Sequence, residues 1–223
     1  MEENVPRSVW IRRRVKKNGW ARVIGQLLFL IFIVPLLRKL SGKRITQILQ
    51  QFELDIAPVD EKLIIPVSSV NADFCINQLK EIAPDLVMVN GTRIIAQKVL
   101  GAVDCPFVNI HAGITPYYRG VHGAYWALAQ NDPNRCGVTI HLVDKGIDTG
   151  GVVAQALIQP GADDNFSTYP LLQLAEGLKL LPSALSALSQ NKVEIKKSSD
   201  KGKLYYHPTL GEYCRYYLKR GIK

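Results

Sequence analysis

Two stretches decide the fold: Val108-Asn-Ile-His-Ala-Gly-Ile-Thr-Pro-Tyr-Tyr-Arg-Gly120 and Gly137-Val-Thr-Ile-His-Leu-Val-Asp-Lys-Gly-Ile-Asp-Thr-Gly150. In the first, an apolar run beginning at Pro106 ends in Asn109 and His111, two residues apart. Side chains two apart on a strand point to the same side, so both can face one cleft. In the second, an apolar strand pattern gives way to a corner that sets Asp148 between Gly146 and Gly150. Open α/β sheets bind ligands beyond the carboxyl ends of their strands. An amide donor, an imidazole and a carboxylate gathered there can hold a developing oxyanion and move a proton. Each also has a structural reading: a satisfied histidine at a strand end, an Asn109 cap, an Asx turn at Asp148. His141 falls inside an apolar strand pattern and reads as a core residue or one supporting the site from behind. His122 and His207 show no partner in sequence and read as structural. Arg119 reads either as an anion ligand or as a solvated loop residue.

Working outward, Asp85–Asn90 is a continuous apolar run, the sign of a strand covered on both faces. The periodicity predicts helices over Arg44–Phe52, over 71–82 with Asn71 as cap and Pro84 as stop, over Ile94–Leu100 and over His122–Asn131. Strands are expected at Leu63–Val67 (an edge, because of Pro66), Pro106–His111, Cys136–Val143, Val152–Ile158 and Val193–Ile195. Thr168–Gln190 is a leucine-rich helix that Pro182 should kink or divide. Tyr213, Tyr216 and Tyr217 are spaced to share one helix face. Strands alternating with helices make an α/β, Rossmann-like fold with a mostly parallel sheet flanked by helices. Residues 1–60 form a basic, helical N-terminal segment, 61–200 the catalytic domain and 201–223 a tyrosine-rich tail.

The chain has 223 residues and a formal charge of +9. Eleven Lys/Arg against Glu2 and Glu3 lie in residues 1–44, leaving seventeen of each sign elsewhere, so the head is basic and the body neutral. The head carries the apolar run Leu27–Leu37, interrupted by Pro35. That run is shorter than the ~20 apolar residues a spanning helix needs. A buried helix is the first reading and attachment to a membrane surface the second. A secretory signal fits the basic-then-apolar order, but no A-x-A-like site follows. Four widely spaced cysteines with no C-x-x-C pair argue against a zinc site and a disulfide framework and suit a reducing cytosol. No metal site is expected.

The motif N-I-H-A-G-x-x-P-x-Y-R-G followed by G-V-T-I-H-x-V-D-x-G-I-D-T-G resembles the signature of the formyltetrahydrofolate-dependent formyltransferases. That family includes glycinamide ribonucleotide, methionyl-tRNA and amino-sugar members. The resemblance is dense from Asp85 to Gln155. It implies a Rossmann-like sheet using 10-formyltetrahydrofolate as formyl donor, with Asn109, His111 and Asp148 as catalytic residues. It also implies a pterin ring held by the loop Val89, Asn90, Gly91, Thr92, Arg93 and Ile94 and by the turn Val143, Asp144, Gly146 and Ile147. The usual first strand unit, with its acceptor-binding glycine loop, has no counterpart before the basic helix. The roughly thirty residues after Gln190 are too few for the β-barrel domain of the tRNA-acting members. The acceptor is therefore expected to be the primary amine of a small molecule such as an amino sugar, without nucleic acid. Glycinamide ribonucleotide or tRNA-type transfer is the alternative. A non-catalytic folate-binding or membrane-surface relative is the alternative of another class. The protein is expected in the cytoplasm, with peripheral membrane contact through the basic head.

Overall fold

The computed structural model describes residues 7–190, 192, 195 and 202–223. Its centre is a four-stranded sheet in the order β1-β2-β4-β5, where β1 is Val87–Val89, β2 Phe107–His111, β4 Gly137–Leu142 and β5 Val152–Leu157. The short β3 (Tyr118–Gly120) pairs in parallel with β6 (Lys203–Tyr205) as a separate two-stranded sheet. The Rossmann-like α/β class with flanking helices is the one expected. Strand direction is more mixed than a mostly parallel sheet: β1 and β2 run parallel, whereas β2–β4 and β4–β5 are antiparallel. The connection from β2 to β4 folds back through β3 and the short α7 (Gly123–Ala129), and that return reverses the strand.

Alternation along β2 sorts its side chains. Val108 and Ile110 pack with Ile140, Leu142, Leu180, Leu181 and Ala184 beneath α8 (Tyr169–Ser189). Phe107 faces the other way, into a cluster with Val99, Ile76 and Leu79 from α6 (Gln97–Leu100) and α5 (Asp73–Ile82). Asn109 and His111 share that second face. In the β2–β4 register Asn109 lies directly opposite His141. A register irregularity between Ile140 and His141 marks a bulge in the β4–β5 ladder. Such bulges re-aim side chains beside functional sites.

Several local expectations change. Residues 63–67 form no strand: Glu61–Leu63 is a turn of 3₁₀ helix, Leu63 is exposed, and Pro66 offers no ladder N–H. Asn71 does not cap α5, which begins at Asp73. Its side chain instead accepts from the Ala96 N–H at 2.7 Å and donates to Ile94 O at 2.9 Å. Those bonds hold residues 94–96 as a loop, so only Gln97–Leu100 of the predicted Ile94–Leu100 helix forms. α8 continues through Pro182 undivided. Pro182 is exposed, so the carbonyl it leaves unpartnered faces water. Of the strand expected at Val193–Ile195, residues 193 and 194 lie outside the described residues, and Ile195 is exposed with no strand assignment.

The head consists of α1 (Arg7–Asn18), α2 (Trp20–Leu28), a π turn at Phe29–Ile33, α3 (Val34–Leu40) and α4 (Gly42–Gln51). It is packed onto the body. Phe29 is fully buried, its ring 4.8 Å edge-on from Phe166 and 5.2 Å from Tyr213. Tyr213 lies on α9 (Leu210–Arg220), which opens with a capping box between Thr209 and Glu212. Arg44 holds Asp164 through two bonds of 2.9 Å, and Asn165 donates to Ser41 Oγ at 2.7 Å. Tyr213 faces the core, Tyr216 packs at its edge and Tyr217 is half exposed.

His122 and His207, unpartnered in the sequence reading, are partners of each other at 2.9 Å between Nε2 and Nδ1. One nitrogen must donate and the other accept, so the contact is lost once both rings are protonated, and burial disfavours even the first charge. Burial pushes His122 down to about 3, and burial with Arg14 nearby pushes His207 down to about 4. The unfolded chain therefore binds more protons below pH 6.5. Stability is complete above that pH and is lost as pH falls toward the folded values. Urea titrations are expected to show a loss on the order of 5 kcal/mol from this pair between pH 7 and 4.5. His122→Phe should flatten that dependence.

Candidate active site

The ends of β1, β2 and β4 and the corner after β4 enclose a cavity of ≈ 150 Å³. It is lined by Val89, Gly91, Thr92, Arg93, Ile94, Ile95, Asn109, His141, Val143, Asp144, Gly146, Ile147 and Asp148. Of the residues the resemblance assigned to donor binding, all but Asn90 line it, and Ile95 is added. The volume suits one bicyclic ring, since pockets for drug-sized ligands run to about 300–1,000 Å³.

The corner is built by Asp144. Its Oδ1 accepts from the Gly146 N–H at 2.9 Å and from Thr149 Oγ1 at 2.6 Å. A Cβ on residue 146 would fall 1.9 Å from Thr149 Oγ1, so a side chain there would push Thr149 off Asp144. The Asx-turn role considered for Asp148 thus belongs to Asp144, and Asp148 is released to the site. Asp148 adopts the left-handed region at φ 51°, which non-glycine residues visit rarely and Asp more readily than most. Its Oδ2 accepts from the Gly120 N–H at 2.8 Å. Gly120, at φ 92°, sits so close to β6 that a Cβ would meet Tyr205 O at 2.4 Å. Arg119 lies near Ile147 O and Gly202 O, at 3.5 and 3.4 Å, across the same corner.

The three predicted side chains converge, with His141 between them. Asp148 Oδ2 is 3.4 Å from His111 Nδ1, and Asp148 Oδ1 is 3.7 Å from His141 Nε2. His141 Nδ1 must donate to Leu142 O, at 2.7 Å, because a carbonyl only accepts. Its Nε2 is then an acceptor and takes one hydrogen from Asn109 Nδ2 at 3.2 Å. That bond orients the Asn109 amide and leaves its second N–H available. By the same reasoning His111 Nε2–H donates to Tyr118 O at 2.8 Å, so Nδ1 presents a lone pair toward Asp148. His111 is 5% exposed and stands behind Asp148, without lining the cavity.

Burial holds His111 below the ordinary histidine value, outweighing the pull of Asp148 and of Tyr118 O. Burial alone would raise Asp148, but the positive charge that His141 or His111 carries when protonated, together with the Gly120 N–H, outweighs it and keeps the carboxyl below its usual range. At neutral pH the site therefore holds a carboxylate facing an imidazole lone pair. One proton arriving between them satisfies both.

A family model described as formyl transferase matches residues 45–185, more than half of the chain. The chain belongs to the formyl transferase family. Among curated relatives, the methionyl-tRNA formyltransferase of Caldanaerobacter subterraneus is 27% identical over 192 residues, covering 78% of this chain and 62% of that protein. The Koribacter versatilis methionyl-tRNA formyltransferase is 38% identical over 113 residues, covering 50% and 36% respectively. The chain thus spans about half the length of the curated relatives it matches. Among solved structures, a Mycobacterium tuberculosis protein inferred to be a sugar N-formyltransferase aligns at TM-score 0.57 and 16% identity, over 82% of this chain and 83% of its own. A sugar N-formyltransferase from Shewanella aligns at TM-score 0.53 and 23% identity, over 78% and 72%. These two show a shared fold.

His141, which the sequence suggests as a core residue or a support behind the site, lines the cavity and holds Asn109. The signal that finds it is the antiparallel pairing opposite Asn109, and that appears only once strand direction is known.

Proposed function

We propose that this chain is an N-formyltransferase that moves a formyl group from 10-formyltetrahydrofolate to the primary amine of a small acceptor such as an amino sugar. Residues 61–200 carry the chemistry. The observation that supports this most directly is the convergence of Asn109 and Asp148 on one cavity edge with His111 behind. The cavity also fits the donor's ring: Val89, Ile95, Val143 and Ile147 give apolar walls, and the loop and corner backbones give a polar rim. The donor, when bound, supplies the formyl group.

The chain's own residues do the rest. As the acceptor nitrogen bonds to the formyl carbon, negative charge gathers on the carbonyl oxygen, and the free Asn109 N–H donates to it. The nitrogen gives up a proton, which Asp148 accepts and shares with His111 Nδ1. The same proton is available to the departing donor nitrogen, so the cycle returns the site to its starting charge. His141 positions Asn109.

The tRNA relatives favour a second reading, with the amine of methionyl-tRNA as acceptor. The neutral body around the cavity supports the small amine, because the unopposed basic charge lies in the head. We place the protein in a reducing cytosol, in keeping with its four free cysteines.

Mass spectrometry of reactions with 10-formyltetrahydrofolate and a panel of amino sugars, small amines and methionyl-tRNA tests the proposal. One small amine should gain a formyl group, and Asn109→Ala should slow that turnover about 10²–10³-fold. Formylation of methionyl-tRNA alone would establish the second reading, and donor binding with no acceptor turned over would overturn both.

A further inference from the structure

The helix from Trp20 to Leu40 has two apolar faces. One is docked: Val23, Phe29 and Leu37 are buried in the body. The other is not, with Trp20 67%, Ile24 50%, Phe32 62%, Leu36 52% and Leu40 71% exposed. Residues four apart drift by ~40° per step around a regular α-helix, so such a row would wind onto the docked side. The π turn at Phe29–Ile33 accommodates an extra residue. It offsets about half of the drift, and Leu36 and Leu40 stay on the exposed side with Trp20 and Ile24.

Charge surrounds this row on one sign only. Between Glu3 and Glu53 the chain has eleven Lys/Arg and no acid. Lys16 near one end of the row and Arg38, Lys39 and Lys43 at the other are exposed, with no ion pair among the described residues. We propose that this face lies on an anionic phospholipid bilayer, in the plane of the interface, with the apolar row immersed and the flanking cations on the headgroups. Trp20 sits where an indole favours the boundary between headgroup and acyl chain.

By length and composition this helix is able to cross a membrane, but its opposite face is locked to the body. Gln26 donates to His207 O at 2.7 Å, Arg22 pairs with Glu212 at 3.1 Å, and a Cβ on Gly25 would stand 2.9 Å from Thr209 Cβ. Crossing would strip all three away. A two-fold dimer through this face would set the basic segment against its own copy, like charge on like charge. An RNA would find cations but a mostly aliphatic row in place of the stacking planes that bases use.

The test is flotation of the full chain with phosphatidylcholine vesicles containing phosphatidylglycerol, beside vesicles of phosphatidylcholine alone. Its readout is lipid binding, so it succeeds or fails independently of formyl transfer. The chain should float with the anionic vesicles, lose binding at high salt, and be released by an alkaline carbonate wash. Arg38→Gln and Lys39→Gln should each weaken partition about fivefold, and Ile24→Ser with Phe32→Ser should abolish it at an unchanged melting midpoint. If the double variant melts lower, the charge variants, which touch no core residue, carry the test. Failure to float with anionic vesicles overturns the proposal, as does retention after the carbonate wash. So does a dimer in lipid-free solution that the serine variants dissociate, or equal binding to both vesicle types. Displacement of the chain from the vesicles by an equal charge of tRNA would assign the surface to nucleic acid instead.

Discussion

Asp148→Asn is expected to lower kcat for formyl transfer about 10³-fold, within the range that removing a positioned general base produces. The substitution is nearly isosteric, and Asn tolerates the left-handed backbone at φ 51° as readily as Asp. Its Oδ1 still accepts from the Gly120 N–H, which the carboxylate does at 2.8 Å. What it loses is the capacity to take a proton and share it with His111 Nδ1. The melting midpoint should therefore stay near that of the parent, separating lost chemistry from lost fold. The pH profile adds a readout that a structural role would not move. Because His111 is held below the ordinary value of 6.5 and Asp148 below the usual carboxylate range, parent activity should persist into mild acid and fall only below that value. The residual activity of the variant should lack this acid limb. Turnover above about a tenth of the parent's would remove Asp148 from the proton path and leave only oxyanion stabilisation by Asn109.

Phe29→Ala is expected to lower stability by about 3–5 kcal/mol, the usual cost of emptying a buried aromatic site. Phe29 is 0% exposed and is wedged between Phe166 and Tyr213, so it joins the π turn of the head to α9 and to the loop before α8. Trp20→Ser, on the opposite face of the same helix, should change stability by no more than about 0.5 kcal/mol. Urea unfolding followed by tryptophan fluorescence and by circular dichroism measures both variants. A single shifted transition in Phe29→Ala would show that head and body unfold together. A parent-like transition would mean that the helix docks too weakly to belong to the cooperative unit.

Much of the site was legible before any coordinates. The alternation Asn109-Ile110-His111, the glycines around Asp148 and the apolar run ending at Asn90 belong to local backbone rules that act within a few residues. Legibility failed where partners are distant in the chain. Asn71 looks like a helix cap, yet the carbonyl and amide it serves belong to residues 94 and 96. His122 and His207 each look solitary because their partner is 85 residues away. Hydropathy alone predicts a buried helix for the apolar run in the head. Half of that reading holds, since hydropathy reports which side chains avoid water and not which of them find cover within the chain.

By itself the sequence determined the α/β alternation, the charge divide between head and body, and the identity of the three polar groups, because periodicity and composition are local properties. Tertiary structure alone decided three other matters. It decided that β4 runs antiparallel to β2, which puts His141 opposite Asn109. It released Asp148 from the turn by giving Asp144 that work. And it decided which face of the Trp20–Leu40 helix the body covers. Each depends on a contact between segments far apart in the chain, and a one-dimensional pattern carries no information about which distant surface fills the space beside it.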